Sequence, residues 1–121
     1  MLRFIRENAL IIYPILLITS FYSTWLAARY HLGHWPIASI DDPKYIEGFW
    51  MWTYTSTILL LLIGWIVALL FAVFHFIVQY SNDSIQNKTL LLKNSLGIAL
   101  TIAAFWIIGN EPNDILVWLL D

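Results

Sequence analysis

The sequence predicts an all-α membrane protein with three transmembrane helices, a structured outer loop and a short interfacial C-terminal segment. Three observations predict it. Of 121 residues, 60% are hydrophobic and only 12% charged, too few charges to clothe a soluble domain this small. Three long apolar runs approach the roughly 20 residues that cross a hydrocarbon core. Clusters of Gly, Pro, Asn, Asp and Ser separate and follow those runs, where helices stop. The length suits one domain, residues 1–121.

The first span covers about residues 8–31. Gly33 suits the left-handed position after a helix, and Pro36 lies just beyond. Pro14, about two turns in, bends the helix without cancelling the span. The start Met1-Leu-Arg-Phe-Ile-Arg6 has the charge of a signal peptide. The apolar stretch after it is too long for one, and Leu26-Ala-Ala28 is a poor cleavage site, so a retained anchor helix is expected. An outer loop follows over 32–48, in which Asp42-Pro43 is an N-cap and first-turn pair for a short helix.

The second span covers about 49–80, and from Ile58 to Phe74 it has no charged or hydroxyl side chain. A loop over 81–89 leads to the third span, about 90–109. Only Ser95–Gly109 of that span is free of charge, about 22 Å of helix, so Lys93 must reach for the headgroups. Asn110-Glu-Pro-Asn-Asp114 then breaks the helix. Ile115–Leu120 is too short to cross again, so the segment 110–121 lies in the interface or packs on the protein, with Asn113 or Asp114 capping it.

Orientation follows from the cations. Arg3, Arg6, Lys88 and Lys93 fall on one side, and Arg29 and Lys44 on the other. Four against two puts the N-terminus and the 81–89 loop in the cytoplasm and the C-terminus outside. The outer side is acidic, with Asp41, Asp42, Glu47, Glu111, Asp114 and Asp121 against Glu7 and Asp83 within. Trp25, Trp35, Trp50, Trp52, Tyr45 and Tyr54 crowd that outer boundary as an aromatic belt would.

The absence of Cys excludes disulfides and thiolate chemistry, and a net charge of −2 argues against nucleic acid. Phosphate-binding glycine loops, nucleophile elbows and paired catalytic carboxylates are missing. The sequons at Asn82 and Asn87 fall on the cytoplasmic side, where they are not glycosylated. No catalytic residue and no cofactor is expected.

Small residues recur every fourth position as Gly64, Ala68 and Ala72 on the second span and as Ser20, Thr24 and Ala28 on the first. Such stripes let helix backbones approach closely in lipid. Internal packing is the favoured use, because three helices need such faces anyway; docking of another subunit is the other. Thr19, Ser20, Ser23 and Thr24 share a depth with Thr53, Thr55, Ser56 and Thr57. They line a wet pocket or, more commonly, bond back to their own helix carbonyls.

His31 and His34, with Asp41 and Asp42, are chemically able to hold zinc or a similar ion. The structural alternative is simpler: His31 complements the negative end of its helix, and Gly33, Trp35, Pro36, Asp42 and Pro43 build a folded turn with Trp35 near Trp52 or Tyr54. His75, near the inner end of the second span, is a lone ionisable group at depth, and no second residue at matching depth completes a haem ligand pair.

The run Leu32-Gly-His-Trp-Pro36 with Asp41-Asp-Pro-Lys44 resembles a pattern in small bacterial inner-membrane proteins of unknown function, over residues 25–50. The resemblance implies a bacterial cytoplasmic membrane and an extracytoplasmic loop. It carries no activity, cofactor or catalytic residue. The leading functional expectation is a non-catalytic accessory or interaction subunit of an inner-membrane complex, its partners being the bilayer and other membrane subunits or a second copy. A metal- or lipid-binding membrane enzyme with its site at the outer loop is the alternative, and a small oligomeric channel or transporter the third.

Overall fold

Helix α1, Leu2–Leu32, is the element on which the others pack. Its buried residues Leu10, Tyr13, Leu17, Phe21, Thr24 and Ala28 follow one another at spacings of three and four, which places them in one stripe along the helix. The computed structural model describes residues 1–45, 54–79 and 84–120. After α1 come a 3₁₀ turn at Pro43–Tyr45, helix α2 at Thr55–Leu59, a π-helical turn at Leu60–Gly64 and helix α3 at Trp65–Gln79. Helices α4, Ser84–Gly109, and α5, Ile115–Leu120, complete the chain.

The described residues form helices and turns without strands. Three segments are long and apolar enough to cross a bilayer: Glu7–Leu32, Thr55–Val78 and Asn87–Gly109. Residues 49–53 and 80, read as the ends of the second span, lie outside the described residues. Residues 84–89, read as loop, belong to α4 instead. No glycine or proline interrupts Ser84–Thr89, so the helix extends by polar turns beyond its apolar stretch.

Both flanking spans pack along α1 and touch one another at few points. Against α1, the second span turns Ala68, Ala72 and His75, all buried, together with Gly64. Its large side chains, Leu62, Leu70, Phe74 and Ile77, point outward and are mostly exposed. α4 behaves alike, burying Ala104 and Ile108 while Leu92, Ile102 and Trp106 face out. Leu61 is half-buried against the core.

The closest approach is between α1 and α4. A Cβ added to Gly97 would lie 2.5 Å from Leu10 Cβ and 2.8 Å from the Leu10 carbonyl oxygen. Pro14 has no N–H to return to that carbonyl, so the crossing sits where the α1 ladder lacks a bond. α1 also departs from helical geometry at Asn8, φ −121° and ψ 15°, where the side-chain amide donates to the Phe4 carbonyl at 2.9 Å.

On the other side, a Cβ at Gly64 would meet Tyr13 Cε2 at 2.7 Å. The Tyr13 hydroxyl donates to the Leu60 carbonyl at 2.7 Å, at the first residue of the π turn. Further out, Thr57 Oγ1 lies 2.7 Å from both Ser20 Oγ and Thr24 Oγ1. These three hydroxyls neither line a pocket nor bond only to their own helices. They fasten the second span to α1, while Thr19, Ser23 and Ser56 are exposed.

Gly97→Leu is expected to destabilise the bundle by at least the 1–3 kcal/mol typical of overpacking, because backbone opposes it. Gly64→Leu should cost less, since a side-chain ring edge opposes it, yet more than Leu62→Ala. Gly109→Ala, with nothing within 4 Å, should be neutral or stabilising. Thermal unfolding in mild detergent checks the order, and equal midpoints for Gly97→Leu and Gly109→Ala would contradict it. Thr57→Val removes both interhelical hydroxyl bonds, and at about 0.6 kcal/mol for each such bond should lower stability by about 1 kcal/mol in the same assay.

Candidate functional site: the outer cap

α1 ends because Gly33 takes the left-handed conformation, φ 75°, and its N–H donates to the Arg29 carbonyl at 2.9 Å. A side chain would have space there, so backbone strain alone is what glycine avoids. The chain then turns back. Trp35 stacks on Trp25 with ring centroids 4.2 Å apart, and the Arg29 guanidinium lies over the Trp35 ring at 4.0 Å. Pro36 is buried behind them.

Trp35 thus packs on α1 itself. Tyr54 is not its partner, and Trp52 lies outside the described residues. The αL turn folds the loop back over the last turns of its own helix, where Trp25 and Arg29 share a face four residues apart.

A second turn closes over Ile37–Asp41, with the N–H groups of Ile40 and Asp41 donating to the Ile37 carbonyl at 3.2 and 2.9 Å. The Asp41 carboxylate accepts from the Ile37 N–H at 2.9 Å, so it ties its own turn. Ser39 takes a left-handed φ of 66° within that turn. The Asp42 carbonyl accepts from Tyr45 N–H at 3.0 Å, closing the short 3₁₀ turn that Pro43 begins. Pro43 is fully buried.

The C-terminal helix anchors this cap. Trp118, 1% exposed, donates its indole N–H to the Asp41 carbonyl at 2.5 Å. Ile115 and Leu119 are buried beside it, so α5 packs on the protein. The turn before it is held by Glu111, which accepts from the backbone and side-chain amides of Asn113, each at 2.7 Å. Asp114 sits in a left-handed conformation, φ 53°, and its carbonyl accepts the Trp118 N–H. The expected Asn113 or Asp114 side-chain cap is thus replaced by a Glu111 brace.

The four candidate metal ligands do not converge. His34 Nδ1 lies 3.7 Å from Asp41 Oδ2 and 2.9 Å from the Trp35 carbonyl. His31 is exposed, its ring edge-on to Tyr30 at 5.6 Å. Among the described residues no group of three His, Cys, Asp or Glu side chains could hold a metal ion. Gly33 separates the two rings by turning the chain between them. The small residues stand elsewhere, on the α1 seams: Thr24, Ala28, Ala68 and Ala72 buried, Ser20 bonded to Thr57, and Gly64 under Tyr13.

Gly97 is the functional packing residue that pattern reading passed over. Its signal was the pair Gly97-x-x-x-Thr101, whose Thr101 hydroxyl donates to the Gly97 carbonyl at 2.8 Å.

If the cap is structural, Gly33→Val and Trp35→Ala lower thermal stability, while His34→Ala changes it little. Trp118→Phe should cost about 1 kcal/mol, the net worth of one hydrogen bond. Stability and bound zinc measured on the same samples distinguish the readings. Stoichiometric zinc lost with His31→Ala or His34→Ala would overturn the structural one.

No family model, no curated protein and no solved structure matches this chain.

Proposed function

We propose that the chain is a non-catalytic integral membrane protein of the bacterial cytoplasmic membrane, acting as an accessory or interaction subunit of a membrane complex. One observation carries the membrane part. Among the described residues of the second span only Thr57, Ala68, Ala72 and His75 are buried while Leu62, Leu70, Phe74 and Ile77 are exposed, and α4 likewise exposes Leu92, Ile102 and Trp106, the reverse of a helix whose outer face meets water. The polar groups at mid-helix depth, Tyr13, Ser20, Thr24 and Thr57, are used in fastening helices together. That use supports an assembly role over chemistry within the bilayer.

The subunit role is supported by two apolar grooves, one of about 440 Å³ between α1 and the second span and one of about 280 Å³ between α1 and α4. Transmembrane helices of a neighbouring subunit fit such grooves. The N-terminus and residues 81–89 lie in the cytoplasm in this reading, and the cap and C-terminus outside, on the strength of the cation imbalance.

A reporter fused after Asp121 should behave as extracytoplasmic and one inserted at 82–88 as cytoplasmic; the opposite labelling refutes the orientation. Native purification followed by mass analysis and metal quantitation tests the role. A stoichiometric complex with another membrane protein is expected. A lone 14.1 kDa chain carrying bound metal would favour the metalloprotein alternative instead.

A further inference from the structure

Where the three spans end on the side of the N-terminus, their splay opens a polar cleft of about 240 Å³ lined by Arg3, Glu7, His75, Asn87, Thr89, Leu90 and Lys93. All three spans contribute. Arg3 and Glu7 stand at the start of the first span, His75 is three residues from the end of the second at Val78, and Asn87 opens the third. The cleft therefore lies level with the ends of all three apolar segments, the depth of lipid headgroups if the helices cross a bilayer.

Two cations face one carboxylate there. Arg3 Nε donates to Glu7 Oε1 at 2.7 Å, which uses one of five guanidinium N–H groups and neutralises the acid. That carboxylate raises the Arg3 pKa further above its ordinary value through the hydrogen bond. Lys93 is half-buried; its charge is felt at the Glu7 carboxylate, though among the described residues it forms no ion pair within 4 Å. His75, 4% exposed, closes the inner wall. Thr89 and Asn87 add a hydroxyl and an amide to the lining. The volume falls below the ~300–1,000 Å³ of pockets for whole drug-sized ligands, and suits a headgroup fragment.

We propose that this cleft binds the phosphate group of an anionic phospholipid headgroup, with Lys93 and the outer N–H groups of Arg3 as its charge partners. Basic pockets between transmembrane helices on the cytoplasmic side take such headgroups, and charge-assisted bonds to phosphate are the strong ones. A carboxylate in the site does not forbid this, because Arg3 already answers it. The inference rests on the membrane reading but not on any partner subunit.

The test uses the full chain in zwitterionic detergent, titrated with short-chain phosphatidylglycerol, short-chain phosphatidylcholine or inorganic phosphate, binding being read by native mass spectrometry. One phosphatidylglycerol per chain is expected, bound in preference to phosphatidylcholine. Lys93→Gln should weaken it about fivefold, the equivalent of about 1 kcal/mol for one cation near an anionic lipid. Lys93→Arg should restore binding, and Lys88→Gln, outside the cleft, should leave it unchanged. Unfolding midpoints confirm that each variant is folded. Equal binding of the two lipids, or no loss with Lys93→Gln in a folded protein, overturns the proposal. Binding of inorganic phosphate as tight as that of phosphatidylglycerol would assign the cleft to the free anion and overturn the lipid.

Discussion

Helix α1 and helix α4 meet backbone to backbone at Leu10 and Gly97, and the other helices take their places around that contact. A methyl group at Gly97 would fall inside the contact distance of three Leu10 atoms. A small residue at a helix crossing lets backbones approach and gain close dispersion contact, so such a crossing is worth the loss of a side chain. Pro14 helps set it, since the Leu10 carbonyl lacks the N–H an uninterrupted helix would return. With α4 held there and the second span held at Tyr13, α1 becomes the middle of the bundle. The flanking spans are thereby kept apart, and the polar cleft between their ends follows from that separation.

The opposite seam is fastened by polar groups. Tyr13 reaches the Leu60 carbonyl, at the start of the π turn Leu60–Gly64. A π turn redirects helix hydrogen bonds by one residue, and Gly64 at its end admits the Tyr13 ring. One turn nearer the start of the second span, Thr57 bonds with both Ser20 and Thr24. Each such bond is modest in lipid, about 0.6 kcal/mol on average, but it also fixes register. A slip of one residue along α1 would part Thr57 from both partners.

Beyond the Gly33 end of α1, Asp41 joins two distant parts of the chain. Its carboxylate holds the Ile37 turn, and its carbonyl receives the indole of Trp118. Through that residue the loop after the first span is tied to the helix after the third. The Trp25, Trp35 and Arg29 stack covers the other flank of the cap. A cation over an aromatic face contributes about 0.5–1 kcal/mol when exposed, while burial of the rings supplies the larger share. The cap is thus a lid built from side chains of both chain halves.

The sequence by itself determined the three long apolar helices, the stop at Gly33 and the small-residue faces, because composition, a left-handed position and a four-residue period are local properties. It also carried Gly97-x-x-x-Thr101, a two-member stripe too short to stand out beside the longer ones. What only the tertiary structure decided were the pairings. Which hydroxyls met depended on the relative height and rotation of two helices, so Thr57 found Ser20 and Thr24 while Thr19 and Ser23 faced out. Whether His31 and His34 shared a site depended on the turn at Gly33, which sent one ring toward Tyr30 and the other toward Asp41. The loop read over 84–89 became helix, because nothing in those residues ends one and a polar turn extends freely beyond an apolar span. The polar cleft was illegible for the same reason as the hydroxyl pairings: Arg3, His75 and Lys93 are far apart along the chain, and only the packing of both flanking spans on α1, at Gly97 and at Tyr13, brings the ends of their three helices around one space.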